Sequence, residues 1–295
     1  MSTNALSDPS AHALDLRPET FERFCRFITT RLGIKMSAAK LPMLQSRLQR
    51  RLRELRLPSL EDYQTHLFDS AAGEAEQVHF IDAVTTNKTD FFREPRHFDV
   101  LTRTVLPRLD PARGPGAAGT ERSWRLNLWC AGCSSGEEPY TLAMVLAEFG
   151  ATRGDFDFSI LATDISTRVL ATAGRAIYPA DRIGPVPAAL RSRHLLRSRD
   201  PDRAVVRIAP ELRAHLAFQR LNFMDASYDV PGAFDVVFFR NVMIYFDPPT
   251  QEAVIGRLCR HLRPGGYLFV GHSESLAGLD VPVRCVDTAV YRKPP

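Results

Sequence analysis

The sequence predicts an α/β protein: a doubly wound, mostly parallel sheet with an antiparallel edge, preceded by a small all-α domain and interrupted by a small antiparallel β insertion. Three observations predict it. Over residues 17–83 apolar side chains recur only at helical spacing, with no strand-like alternation. From residue 125 onward, apolar strands alternate with amphipathic helices. Near the end, residues 283–286 and 289–292 read as a closing hairpin, the antiparallel edge of such a sheet.

The elements follow in order. Residues 1–12 are polar and expected to be disordered. The all-helical domain is placed at 13–84. Phe21, Phe24, Cys25 and Ile28 share one helical face. Leu41, Leu44, Leu48, Leu52 and Leu55 step by three and four, and Phe80, Ile81 and Val84 close another helix. The helix over 40–56 is strongly basic. Lys40, Arg47, Arg50, Arg51, Arg53 and Arg56 face only Glu54, so six cations against one acid leave a net +5. Arg47, Arg50 and Arg53 point away from the leucine stripe. They form either a solvated face or a docking surface for an acidic partner. Residues 85–122 are read as a connecting segment and linker. Thr85-Thr86-Asn87-Lys88-Thr89-Asp90-Phe91-Phe92-Arg93-Glu94-Pro95 is a polar turn abutting two core aromatics, Phe98, Leu101, Val105 and Leu106 continue as a helix, and 110–122 is rich in glycine and proline.

The third domain is placed at 123–295. Leu126, Leu128 and Cys130 alternate with Asn127 and Trp129, which defines a strand entering a core. Gly132-Cys133-Ser134-Ser135-Gly136 is a tight crossing into a helix that opens Glu137-Glu138-Pro139, with proline in a first turn that needs no N–H. Ligands of open parallel sheets bind at such crossings, against free backbone N–H groups. Dinucleotide binding wants G-x-G-x-x-G, and a glycine is missing here. Trp129-Cys130-Ala131-Gly132-Cys133 resembles a W-C-x-x-C redox string, but the chain around it is no small thioredoxin-like domain. A nucleoside-sized ligand without pyrophosphate, such as S-adenosylmethionine, tolerates the looser turn. Its ammonium would meet Glu137 or Glu138, although acids in a first turn also complement the helix dipole whatever binds. Residues 156–164 form a second strand ending in Asp164, which can hold ribose hydroxyls or cap the next helix, 166–175. Residues 176–215 are read as an inserted β subdomain with a short strand at 205–208. Residues 216–223 are a third strand, and 234–241 form a buried parallel strand. A helix over 250–262 stops at Arg263-Pro264-Gly265-Gly266, and 267–270 follow as a strand.

Composition narrows the function. A net charge of +4 over 295 residues does not argue for nucleic acid. The first nine residues lack a signal-peptide pattern, and the longest apolar run, 142–147, is too short to span a bilayer. Five cysteines, scattered apart from 130 and 133, complete no zinc site and suit a reducing cytoplasm. Neither a catalytic triad nor a metal site is found, and no metal is expected.

Five stretches together resemble the chemotaxis receptor methyltransferases, the CheR family: Thr85-Thr86-Asn87-Lys88-Thr89-Asp90-Phe91-Phe92-Arg93-Glu94; Ser134-Ser135-Gly136-Glu137-Glu138-Pro139-Tyr140; Ala162-Thr163-Asp164-Ile165; Phe239-Arg240-Asn241-Val242-Met243-Ile244-Tyr245-Phe246; and Gly271-His272-Ser273-Glu274. The resemblance implies a Rossmann-like class I methyltransferase domain behind an all-helical one. It implies S-adenosylmethionine as methyl donor, S-adenosylhomocysteine as product, and receptor glutamates as acceptors. Carried onto matching positions, Asn87, Thr89 and Arg93 would reach the cofactor from the connecting segment. Glu137 and Glu138 would supply a carboxylate to its methionine end, either one pointing in. Asp164 would hold the ribose, and Asn222, Phe223, Arg240 and Asn241 would line the rest. Arg93 would orient the acceptor carboxylate, with Tyr245 either beside it or in the core. Arg47, Arg50 and Arg53 would dock glutamate-rich receptor helices. The expected protein is a cytoplasmic monomer that reaches the membrane only through receptors. The family's insertion can grip a receptor tail. Its counterpart here, residues 197–208, carries Ser198-Arg199-Asp200-Pro201-Asp202 where glycines are expected, which counts against tail docking. Rival readings are a nucleic-acid methyltransferase on the same fold, a cofactor-binding scaffold without catalysis, and a C-x-x-C oxidoreductase.

Overall fold

The computed structural model describes residues 17–110, 124–200 and 202–295. The predicted disordered start and most of the 110–122 linker lie outside the described residues. The chain divides into two compact units, the first ending at Thr86 and the second being Asn87–Pro295.

The described part of the first unit is helical: α1 Pro18–Leu32, α2 Leu41–Leu55, α3 Leu60–Asp69 and α4 Gly73–Val84. Phe24, Tyr63 and Phe80 stack at its centre, and Leu44, Leu48 and Leu52 of α2 are buried, as the leucine stripe predicts. Ser59 caps α3 by accepting from the Asp62 N–H at 3.1 Å. The basic face of α2 is divided in its employment. Arg51 holds buried Glu76 at 2.6 and 2.8 Å, and the Tyr63 hydroxyl donates to the same carboxylate at 2.8 Å. Burial pushes Glu76 up, but the Arg51 and Tyr63 hydrogen bonds outweigh it and hold the acid below the usual range. Arg47 donates to the Val84 and Thr85 carbonyls at 2.6 and 3.2 Å, satisfying the open end of α4.

In the second unit, α5 Arg96–Val100 runs through a π turn at Leu101–Val105 into α6 Leu106–Leu109. Then come β1 Trp124–Ala131, α7 Glu137–Ala151, β2 Phe156–Asp164, α8 Thr167–Arg175, β3 Ile177–Pro179, α9 Ala188–His194, β4 Leu195–Arg197, β5 Val205–Ile208, α10 Pro210–Arg213, β6 Leu216–Arg220, β7 Phe234–Phe239, α11 Pro248–His261, β8 Leu262–Val270, β9 Arg284–Asp287 and β10 Val290–Arg292. The main sheet is seven-stranded in the order β6-β2-β1-β7-β8-β10-β9. Its first five strands are parallel, and β10 runs antiparallel to both β8 and β9. Alternate side chains feed two cores. Leu126, Leu128, Phe158, Ile160 and Phe238 face one side, Trp129, Leu161, Val237 and Phe239 the other. The insertion is a separate three-stranded antiparallel sheet, β3-β5-β4.

Several boundaries differ from the sequence-based expectation by a residue or more, β7 for one ending at Phe239 rather than 241, and three of the differences have a visible cause. β6 ends at Arg220 rather than 223, because Asn222 turns the chain by accepting the Met224 N–H on its Oδ1 at 3.0 Å. α11 starts at Pro248, since Asp247 caps it by accepting from the Thr250 N–H. Arg263-Pro264-Gly265-Gly266 does not separate helix from strand. It lies within β8, where the Gly265 N–H donates to the Lys293 carbonyl and the Lys293 N–H to Gly266. Glycine is required at 266, because a Cβ there would fall 2.9 Å from the Asp235 carbonyl oxygen.

Candidate active site

Of the predicted residues of the second unit, Glu137, Glu138, Asp164, Arg240 and Asn241 are linked to the 87–94 segment, directly or through Ser134, Arg182 and Arg240, outside the carboxyl ends of β1, β2 and β7, whereas the Asn222 side chain serves its own local turn. Three links tie the segment after Thr86 to the crossing between β1 and α7. The Ser134 hydroxyl donates to the Asn87 carbonyl at 3.0 Å. Arg182 donates from Nη2 to the Thr89 carbonyl at 2.7 Å and to Glu137 Oε1 at 3.1 Å. Arg240 donates from Nη2 to the Arg93 carbonyl at 2.6 Å and lies 3.3 Å from Glu138 Oε2 through Nη1. Asn87, Thr89 and Arg93 thus engage this crossing through backbone carbonyls. The Arg93 side chain itself donates to the Lys88 carbonyl at 3.0 Å.

Local conformation explains how short segments reach this arrangement. Phe92, Glu94, Ser134 and Asn241 all adopt left-handed φ, between 50° and 59°. For non-glycine residues, and above all for Phe92, this is strain of the kind that concentrates at working sites. Gly132 and Gly136 sit at φ 84° and 100°. A Cβ on Gly132 would fall 2.6 Å from Val242 Cγ2, and Phe223 Cε2 stands next nearest at 3.9 Å. Both glycines therefore serve geometry as well as close approach.

The carboxylates divide their work. Asp164, 7 % exposed, accepts from the Ser134 N–H at 2.9 Å and the Ser166 N–H at 3.0 Å. It fixes the crossing and the start of α8 together, while Ser166, not Asp164, caps α8. Glu137 is buried, accepts from the Ser135 hydroxyl at 2.6 Å and pairs with Arg182. Glu138 is partly open and pairs with Arg240. Glu94, beside Arg93, pairs with Arg240 at 3.2 Å and accepts from the Asn241 amide at 3.1 Å. Burial pushes Glu94 up, but the Asn241 hydrogen bond and the Arg240 charge hold it below the usual carboxylate range. Glu274 accepts from the Gly271 and Asn241 N–H groups at 2.6 and 2.8 Å, binding the ends of β7 and β8. Burial nevertheless raises its pKa. Phe223 is buried, its ring 5.0 Å from that of Phe239. Tyr245 lies in the single turn Met243–Tyr245, half-buried against the core that holds Phe223. Arg47, Arg50 and Arg53 belong to the first unit. Arg50, with 83 % of its side chain exposed, pairs with Glu54, and Arg53 is exposed and donates to the Gln49 carbonyl.

Sequence reasoning missed Arg182, Tyr178, the ion pair of Glu94 with Arg240 and the backbone-binding role of Glu274. Glu94 and Glu274 stood inside recognised strings. Arg182 lies in the insertion, and no spacing rule links it to Glu137, 45 residues earlier. Cys130 and Cys133 are both fully buried, and burial, with Glu138 near the first and Asp164 near the second, raises both thiols well above their ordinary range. A redox pair needs an accessible, acidified thiol, so the oxidoreductase reading fails. Glu94, His97 and His272 bring three potential metal-donor atoms within 4.8 Å of one another. The Arg240 guanidinium already stands against that carboxylate, a fixed positive charge that opposes a bound cation. Among the described residues, no helix is long and apolar enough to cross a membrane.

Comparison with known proteins adds two kinds of likeness. Residues 19–85 match the family model described as "CheR methyltransferase, all-alpha domain", and residues 87–292 match "CheR methyltransferase, SAM binding domain". Chemotaxis protein methyltransferase 2 of Pseudomonas aeruginosa is 39 % identical over 275 residues, covering 92 % of each chain. The chemotaxis protein methyltransferase of Klebsiella aerogenes is 39 % identical over 267 residues, 90 % of this chain and 87 % of that one. That of Borreliella burgdorferi is 35 % identical over 281 residues, 95 % of this chain and 96 % of that one.

Proposed function

We propose, from the premise that this chain belongs to the CheR methyltransferase family, that it esterifies glutamate side chains on the cytoplasmic helices of chemoreceptors. It is an S-adenosylmethionine-dependent methyltransferase of chemotaxis, and the receptor glutamate is the reading added here. The observation that carries it is the convergence of Asp164, Glu137 and Glu138 with Arg240 and the Asn87–Arg93 carbonyls at one set of strand ends.

The donor set fits a zwitterionic nucleoside. Carboxylates suit an ammonium and a ribose diol, and Asn222 beside Phe223 offers an amide and an aromatic surface for a base. Asp164 would hold the ribose and Glu137 or Glu138 the methionine end, with Asn87, Thr89, Asn222, Phe223, Arg240 and Asn241 completing the walls. When bound, the cofactor supplies an electrophilic methyl on a sulfonium. A glutamate acceptor has an ordinary pKa near about 4.3 and arrives ionised at neutral pH, so it needs no general base. The protein's task is then to orient the acceptor oxygen and exclude water. Arg93, on the strained turn between Phe92 and Glu94, is assigned to the acceptor carboxylate, with Tyr245 at the same mouth. Arg50 and Arg53 present an exposed cationic surface suited to glutamate-rich helices. A protein with this substrate works in the cytoplasm.

The test is transfer of labelled methyl from S-adenosylmethionine to receptor-enriched membranes. Label released as methanol by mild base is the expected result. Label that stays base-stable, or goes to nucleic acid, would replace this substrate with another.

A further inference from the structure

We propose that Arg182 of the inserted subdomain is a positioning residue for the cofactor site, acting through Glu137. The inference rests on the reading that the crossing between β1 and α7 holds S-adenosylmethionine.

The segment that delivers Arg182 is anchored on both sides of that crossing. The Tyr178 hydroxyl of β3 donates to the Ser135 carbonyl at 2.8 Å, and its ring meets Phe91 edge-on at 5.0 Å. Gly136 makes room for it: a Cβ there would fall 2.6 Å from the Tyr178 oxygen. Arg182 follows on the short turn Ala180–Ile183. From this footing a single nitrogen, Nη2, donates to the Thr89 carbonyl at 2.7 Å and to Glu137 Oε1 at 3.1 Å, and stands 3.5 Å from Asp90. One guanidinium thus joins the connecting segment to the crossing.

The pair is not a surface salt bridge of small worth. Although Arg182 is 43 % exposed, the Glu137 side chain is only 3 % exposed. Exposed pairs contribute little because water serves each partner as well. A buried carboxylate that loses its cation has no such substitute, so it turns, takes up a proton or draws in water. Any of these moves the first turn of α7 and the Ser134–Gly136 backbone that a nucleoside ligand would meet. The Ser135 hydroxyl holds only the other oxygen of Glu137. The insertion therefore has a part in the cofactor site that is separate from whatever its own exposed sheet binds.

The experiment is isothermal calorimetry of S-adenosylhomocysteine binding to the full-length protein and to Arg182→Ala, Glu137→Gln and the double variant, with melting curves and initial rates. Arg182→Ala should weaken binding by about tenfold or more, the effect of losing one charge-assisted hydrogen bond. KM for the donor should rise while kcat at saturating donor changes little. In the Glu137→Gln background the same substitution should cost less than about threefold, because the carboxylate it holds is gone. Wild-type affinity in Arg182→Ala, or independent multiplication of the two effects, overturns the proposal. Should Arg182→Ala melt too early to measure, Arg182→Gln keeps a donor without the charge and is read by the same two outcomes. If the unsubstituted protein itself does not bind the product, the reading of the crossing falls, and this inference with it.

Discussion

His97 is 1 % exposed, and neither ring nitrogen makes a hydrogen bond of normal geometry. Burial first, then the Arg240 and His272 charges, push its pKa down to about 3, with Glu94 and the Thr288 backbone acting against them. In the unfolded chain a histidine titrates near about 6.5. Between these values the unfolded state binds the extra proton and the folded state does not. Stability from this group is therefore complete above about pH 6.5 and is lost as pH falls toward 3, at most by about 1.4 kcal/mol per pH unit. The melting temperature should drop between pH 7 and pH 5. His97→Phe, which keeps a ring without a titrating nitrogen, should drop less. The slope would be reduced rather than abolished, because burial also holds His261 down. Parallel curves for the two proteins would assign the pH dependence elsewhere. Asp164 shows the complementary case. Its place at the end of β2 was legible from one strand and one acid, but its bonds to Ser134 and Ser166 belong to two turns that only the folded chain brings together.

Among the elements, α2 best separates what a helical wheel tells from what it cannot. The wheel places Arg47, Arg50 and Arg53 off the leucine stripe, and all three are. It is silent on the end of α4, where Arg47 is committed to the Val84 and Thr85 carbonyls and to the Thr86 hydroxyl at 2.9 Å. Arg47→Ala should therefore destabilise the protein by about 1–2 kcal/mol, the worth of a charged hydrogen bond on a partly open site, and lower the melting temperature. Arg50→Glu with Arg53→Glu should leave the melting temperature unchanged, since the Arg50–Glu54 pair is solvated. That pair of changes should raise KM for receptor and spare donor affinity. An unchanged receptor KM would end the docking role of this face. The strands were legible because buried parallel strands read as apolar runs and period-two alternation survives in β1. β8 was legible only in its last half, because its first residues are paired by the far end of the chain, a long-range contact that local turn chemistry does not reveal. The insertion was legible as an interruption, through its prolines and arginines, but not as the source of Arg182.

At the scale of the whole second unit, strand order decides where the site lies. From β1 the chain moves to β2 on one side and later to β7 on the other, and this reversal of strand order is where open α/β sheets bind ligands, outside the carboxyl ends of β1 and β7. Gly132 follows β1, Asn241 follows β7 and Gly271 follows β8, and the last two are in direct contact. A Cβ on Gly271 would collide with the Asn241 amide nitrogen, and would lie 2.9 Å from Glu274 Oε2 and 3.0 Å from the Asn241 backbone nitrogen. Two of these neighbours are fixed: one is backbone, and the other is the carboxylate that binds both strand ends. Gly271→Ala should therefore force the β7 and β8 ends apart, at a cost of about 1–3 kcal/mol for overpacking. It should weaken S-adenosylhomocysteine binding by displacing Asn241. Gly256→Ala is the control. It lies within α11, a Cβ there meets nothing within 4 Å, and alanine is the better helix former. The control should hold or raise the melting temperature and leave binding alone. Should both variants bind and melt like the unsubstituted protein, the ends of β7 and β8 are not the rigid wall that the topology requires of them.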